Sequence, residues 1–145
     1  MDQKGVRALK LLAAIATLAA GIGAFFWSKR DKGIQAPSRF RGQVKRGMAE
    51  IERTSGMKWK HKNIRMRTVR ADGLDGDLPV YYSDIHGKRI GGHSRDGSNF
   101  TLAEHNNEIH GGALIHELWH VLCWQHKIPV EQHHALMRRH GVYGA

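Results

Sequence analysis

The spacing of apolar and polar positions changes several times along this chain. Residues 11–28 carry no charged side chain. Coiled as a helix they would reach ~27 Å, about the thickness of a bilayer's hydrocarbon core. Phe25, Phe26 and Trp27 end the run as interfacial aromatics would, with Lys10 before it and Lys29 and Arg30 after it. A cleaved leader is the competing reading, because Lys4, Arg7 and Lys10 precede the run and small residues fall within 19–22. Bulky aromatics occupy the place where a small-residue cleavage site belongs, so a retained N-terminal transmembrane helix is expected. The pattern divides the chain into an anchor over 1–28, a basic linker over 29–40 that contains Pro37, and one domain over 41–145.

Within that domain the periods alternate. Residues 43–54 have helical spacing, with Val44, Met48 and Ile51 on one face and Gly56 as the stop. Residues 62–69 alternate, with Ile64 and Met66 on one side and Arg65 and Arg67 on the other, which is the period of a strand. A turn-rich stretch follows at 72–77. Residues 78–85 read as a second strand, 86–88 as a turn, 89–95 as the return, and Asp96-Gly97 as a further turn. Residues 99–104 form another strand with Phe100 and Leu102 on one face. Asn106-Asn107 is expected to cap a helix running to about Gln125, and Pro129 to open a last helix ending near His140. Strands followed by helices predict an α+β domain with a mixed or antiparallel sheet.

Charge adds a second division. The net charge is +10, yet residues 28–70 hold fourteen Lys and Arg against three acids, while residues 71–145 hold six against nine. The basic character therefore belongs to the segment after the apolar run, where it could meet anionic lipid or nucleic acid. Seven Lys and Arg follow the run within 18 residues and three precede it. That asymmetry places the C-terminal domain on the cytoplasmic side of a single-pass membrane protein. The single cysteine, Cys123, excludes an intramolecular disulfide framework.

The chemistry concentrates in one helix. His116-Glu117-Leu118-Trp119-His120 has the H-E-x-x-H pattern. At ~100° per residue, His120 lies only ~40° from His116, one turn on, so both imidazoles can converge on one metal ion. Glu117 lies ~100° round, beside that axis, where it can serve as general base without displacing a ligand. Leu114, Ile115, Leu118, Val121 and Leu122 fill the opposite arc and point to a core. Zinc suits two imidazoles and acidifies the attacking water to a pKa of roughly 7. A third ligand must come from chain that has turned. His126, six residues after His120, is the expected one; Glu131, His133 and His134 compete from the last helix.

These residues resemble the zincin metallopeptidases, in which an antiparallel edge strand borders the cleft and precedes the active-site helix. His116, Glu117, His120 and His126 match metzincin spacing, although Cys123 stands where that group has glycine and Met137 reads as helical rather than as a Met-turn. The run His126-Lys127-Ile128-Pro129-Val130, leading into a final helix, is more similar to SprT-like and WLM-type peptidases. The resemblance implies a small zincin-like domain and a zinc peptidase acting on a peptide or protein, with Glu117 as base and His116, His120 and His126 as ligands; with the apolar run over 11–28 the expectation is a membrane-anchored enzyme. Two other readings compete: a basic membrane- or nucleic-acid-associated interaction protein with a structural or inactive zinc site, and a zinc hydrolase of cell-wall peptides.

Overall fold

The computed structural model describes residues 33–145. The expected membrane anchor over 11–28 lies outside the described residues, and no helix among them is long and apolar enough to cross a membrane.

The described chain is α+β. Its order is β1 (Ile34–Gln35), α1 (Ser38–Ser55), β2 (Ile64–Arg70), β3 (Gly73–Asp75), β4 (Leu78–Ser83), β5 (Lys88–Ile90), β6 (Gly92–Ser94), β7 (Asn99–His105), β8 (Glu108–Ile109), α2 (Gly111–Gln125) and α3 (Val130–Arg139). The main sheet is mixed. β1, β2 and β7 run parallel, and β6 pairs antiparallel to β7 at one edge, with β8 also antiparallel to β7. A second sheet is the antiparallel meander β3-β4-β5.

Alternation sets the faces. On β2, Ile64 and Met66 are buried while Arg65 and Arg67 are exposed. Met66 pairs with Phe100 and Thr68 with Leu102 across β7, so the apolar residues of both strands share one side of the sheet. Phe40, Val44, Met48 and Ile51 of α1, and Leu114, Leu118, Val121 and Leu122 of α2, join them in a single core. Full burial of each such side chain contributes roughly 1.5–3 kcal/mol before chain entropy is charged against it.

Several boundaries differ from the sequence expectation. The linker expected over 29–40 is built into the fold in its second half, since Ile34 and Gln35 pair with Ile64 and Arg65, and Phe40 is buried in α1. Pro37 acts as the N-cap of α1, outside the helix proper, where its missing N–H breaks no helical hydrogen bond. The helix expected from Asn106-Asn107 begins later, at Gly111. Both asparagines take positive φ, 52° and 61°, and turn β7 into β8. The N-cap falls to His110, whose ring accepts from the Ala113 amide. The strand expected over 89–95 is interrupted at Gly91, so that β5 belongs to the meander and β6 to the main sheet.

The end of α2 matters most for the site. Lys127 takes φ 56°, and the amides of Lys127 and Ile128 return to the carbonyls of Trp124 and Cys123. This left-handed double closure reverses the chain within a few residues. Pro129 then caps α3, which runs back beside α2.

Candidate metal centre

α2 presents His116 and His120 one turn apart, as its helical spacing requires, with their Nε2 atoms 3.2 Å from each other. The third imidazole at this point is His134, from the second turn of α3, with its Nε2 3.2 Å from that of His120. One ligand atom from each of His116, His120 and His134 lies within 4.8 Å of the others, so the group could hold a metal ion. Tetrahedral bonds of about 2.0–2.1 Å to imidazole nitrogen separate neighbouring ligand atoms by about 3.3–3.4 Å. The spacings around His120 match that edge length.

His126 is not brought to the pair. α2 stays helical to Gln125 and His126 is its C-cap. That puts His126 ~9 Å further along the axis than His120 and on a different side of the helix. Its Nε2 donates to the Lys58 carbonyl at 2.7 Å, tying the helix end to the loop after α1. Glu131 is exposed in the first turn of α3 and is not a member of the cluster. His133 is fully buried; its Nδ1 lies 3.0 Å from His120 Nδ1, behind the ligand rather than beside it.

The surroundings keep the rings ready for a cation. His116 Nδ1 donates to the Tyr143 carbonyl at 2.8 Å, which leaves its Nε2 with a free lone pair. Burial lowers the His116 pKa, with His134 adding to the effect and the Tyr143 bond opposing it. Burial, followed by the neighbouring His116, His133, His134 and His93, drives His120 down to about 3. Both rings are therefore neutral at pH 7, the form that coordinates.

Glu117 stands beside the cluster as its helical phase demands, one carboxylate oxygen 3.9 Å from His116 Nε2. Only 7% of its surface is exposed. Burial pushes its carboxyl up to about 7, against a hydrogen bond from Ser94 that pulls it down. The Ser94 hydroxyl lies 2.9 Å from both the Glu117 carboxylate and the Glu117 backbone carbonyl. Ser94 comes from β6 and no sequence motif announces it. The neighbouring Gly92 offered the better signal. A Cβ there would stand 2.7 Å from Leu102 Cδ2, 2.8 Å from the Thr101 carbonyl and 3.0 Å from Glu117 Cγ. Only glycine lets β6 pass this close to the helix that carries Glu117.

A cleft of about 380 Å³ opens on this side, lined in part by Leu78, Ile90, Gly92, His116, Glu117 and Tyr143. A larger groove of about 630 Å³ runs past Met48 and Trp59, but it holds none of the histidine cluster. Gly91 and Gly92 bring the start of β6 to the rim of the cleft. The Gly91 carbonyl accepts from the Ala103 amide of β7. By the antiparallel alternation, Gly92 and Ser94 then turn their own backbone groups toward the free edge. The arrangement thus combines three imidazoles that could hold a cation, a buried carboxylate at their side and a strand edge that begins at the same cleft. Comparison of the chain with protein-family models, with curated proteins and with solved structures finds no match.

Proposed function

We propose that this protein is a zinc-dependent hydrolase of peptide bonds, held at a membrane by residues 11–28, with Glu117 as general base and His116, His120 and His134 as the metal ligands. The observation that carries the reading is the position of Glu117: a buried carboxylate next to three converging imidazoles, one oxygen 3.9 Å from His116 Nε2 but not itself a member of the converging group. A structural site has no use for such a group. Three imidazole nitrogen donors with one side open suit zinc, which when bound would polarise the scissile carbonyl and acidify the attacking water. Glu117 takes that water's proton and passes it to the leaving amine. The free backbone groups of Gly92 and Ser94 hold an extended peptide across the cleft by strand addition.

The full chain is expected to leave membranes with detergent and not with high salt, and to carry about one zinc per chain once purified. Peptide cleavage by that material, screened over cytosolic polypeptides and cell-wall peptides alike, is expected to stop with chelator and return with zinc. Purified, folded protein that holds no zinc and takes up none on titration would remove the basis of the reading.

Ser94 supplies a pH test. Its hydrogen bond stabilises the carboxylate form of Glu117 and so lowers its pKa. Without it the pKa rises, and less of the base is available at a given pH. In Ser94→Ala the ascending limb of kcat/KM is expected to move to higher pH, with a loss of roughly fivefold below neutrality and little change on the plateau. An unmoved limb with a uniformly lower rate would assign Ser94 to packing alone.

A further inference from the structure

His133 is a buried titratable group that the proposed chemistry leaves unused. It is 0% exposed, in a chain whose other histidines are all at least partly open to solvent among the described residues. The Trp124 ring stands edge-on to it, 4.8 Å between centroids, and fixes its plane. Both ring nitrogens are engaged: Nε2 lies 2.8 Å from the Ile128 carbonyl, and Nδ1 lies 3.0 Å from Nδ1 of His120.

The chain of contacts dictates where the protons sit. A carbonyl oxygen can only accept, so His133 Nε2 carries a hydrogen and donates to Ile128. A neutral imidazole has one N–H, so His133 Nδ1 is then bare and accepts. The partner that donates to it is His120 Nδ1. That uses the one N–H of neutral His120 and leaves its Nε2 bare, on the side where His116 and His134 converge. The Ile128 carbonyl lies in the same chain reversal that ends α2 and starts α3. The turn that returns His134 to the site therefore also sets, through His133, which nitrogen of His120 faces it.

We infer that His133 is a positioning residue for the metal centre, which acts by locking His120 in the Nδ1–H tautomer so that its Nε2 lone pair is presented to the ion. The role usually falls to a carboxylate or a carbonyl next to the ligand. Here a neutral imidazole fills it, relaying a backbone carbonyl one residue-width further out. A carboxylate at this depth would place an additional buried charge beside Glu117's helix, whereas the imidazole does the same work without one. The inference rests on the proposed metal site, but the tautomer itself can be read without any metal.

The experiment has two arms. In the first, ¹⁵N–¹H correlation spectra of the histidine side chains are recorded on the full-length wild-type protein, metal-free and near neutral pH. His120 is expected as the Nδ1–H tautomer and His133 as the Nε2–H tautomer. A protonated Nε2 on His120, or its rapid exchange between both tautomers, would overturn the inference whatever the protein does with zinc. In the second arm, zinc affinity is compared for wild type, His133→Gln and His133→Phe. Glutamine can accept at one end and donate at the other, so it is expected to stay within a few-fold of wild type. Phenylalanine fills the space but offers no acceptor, so a 10- to 100-fold loss is expected. Equal affinity in folded wild-type and phenylalanine proteins would also overturn the inference. Absence of zinc binding in the wild type would instead strike the metal reading, with the tautomer arm still decisive for His133.

Discussion

Replacing His134 by alanine is expected to weaken zinc binding by 10²-fold or more, while His126→Ala leaves affinity within a few-fold of wild type. Removing a ligand of the proposed three-nitrogen set would leave two imidazoles, and loss of even an outer partner commonly costs 10- to 100-fold. His134 Nε2 is 3.2 Å from His120 Nε2 and belongs to the converging group. His126 spends its Nε2 on the Lys58 carbonyl, at the far end of α2. Its loss removes a tie between the helix end and a loop, and should show in thermal stability rather than in metal content. Titration of both variants with zinc under a competing chelator separates the two. If His126→Ala strips the metal and His134→Ala keeps it, the donor set assigned here is wrong.

The contrast between these two histidines marks how far the sequence could be read. His116, Glu117 and His120 were legible because they lie within one helix, where a fixed ~100° step turns spacing directly into geometry. The apolar arc of Leu114, Leu118, Val121 and Leu122 fixed which way that helix faces, and all four are buried in the core. The third ligand depends on a reversal, and spacing alone carries no direction through one. H-E-x-x-H followed by a histidine six residues later suggested His126, on the premise that the short chain after the helix bends back toward the pair. The helix does end at Gln125 as expected, but His126 is still its C-cap and turns to the Lys58 carbonyl, and the left-handed Lys127 reverses the chain only after it, so that His134 of α3 joins the group. Lysine at a left-handed position is not a signal that composition or pattern can supply; glycine would have been.

The same limit explains the strands. β2 and β7 announce themselves by a short alternation, Ile64 and Met66 in one and Phe100 and Leu102 in the other, and both form strands close to the expected places. β1, β3 and β8 have two or three residues, too few to show a period, and they exist because a longer neighbour offers a ladder. Ser94 illustrates the cost for the site. Its hydroxyl meets Glu117 only because β6 runs against α2, a tertiary fact with no local trace. Gly91-Gly92 in the middle of a strand-like segment was the nearest thing to a trace, since paired glycines in a strand mark a close approach.

Glu117→Gln is expected to abolish hydrolysis, by 10²- to 10⁴-fold in kcat/KM, while zinc content and fold are preserved. The local hydrogen bonds show why the fold should tolerate it. The Ser94 hydroxyl has one proton and two acceptors at 2.9 Å, the carboxylate and the backbone carbonyl of Glu117. With glutamine the amide nitrogen donates to Ser94 Oγ, and the hydroxyl proton is free to serve the carbonyl. No donor or acceptor is orphaned, and a neutral amide is easier to bury than a charge. The ligands are untouched, because the Glu117 oxygen stands 3.9 Å from His116 Nε2 and outside the donor set. What disappears is the ability to take a proton at neutral pH. Burial raises the Glu117 carboxyl to about 7, so in the proposed mechanism it would accept a proton from the attacking water and release it to the amine in the same cycle. An amide can do neither. The measurement is turnover and zinc content on the same preparation, with melting temperature as the control for folding. Wild-type turnover in a zinc-loaded Glu117→Gln protein would remove this carboxylate from the mechanism and, with it, the main reason for calling the centre catalytic.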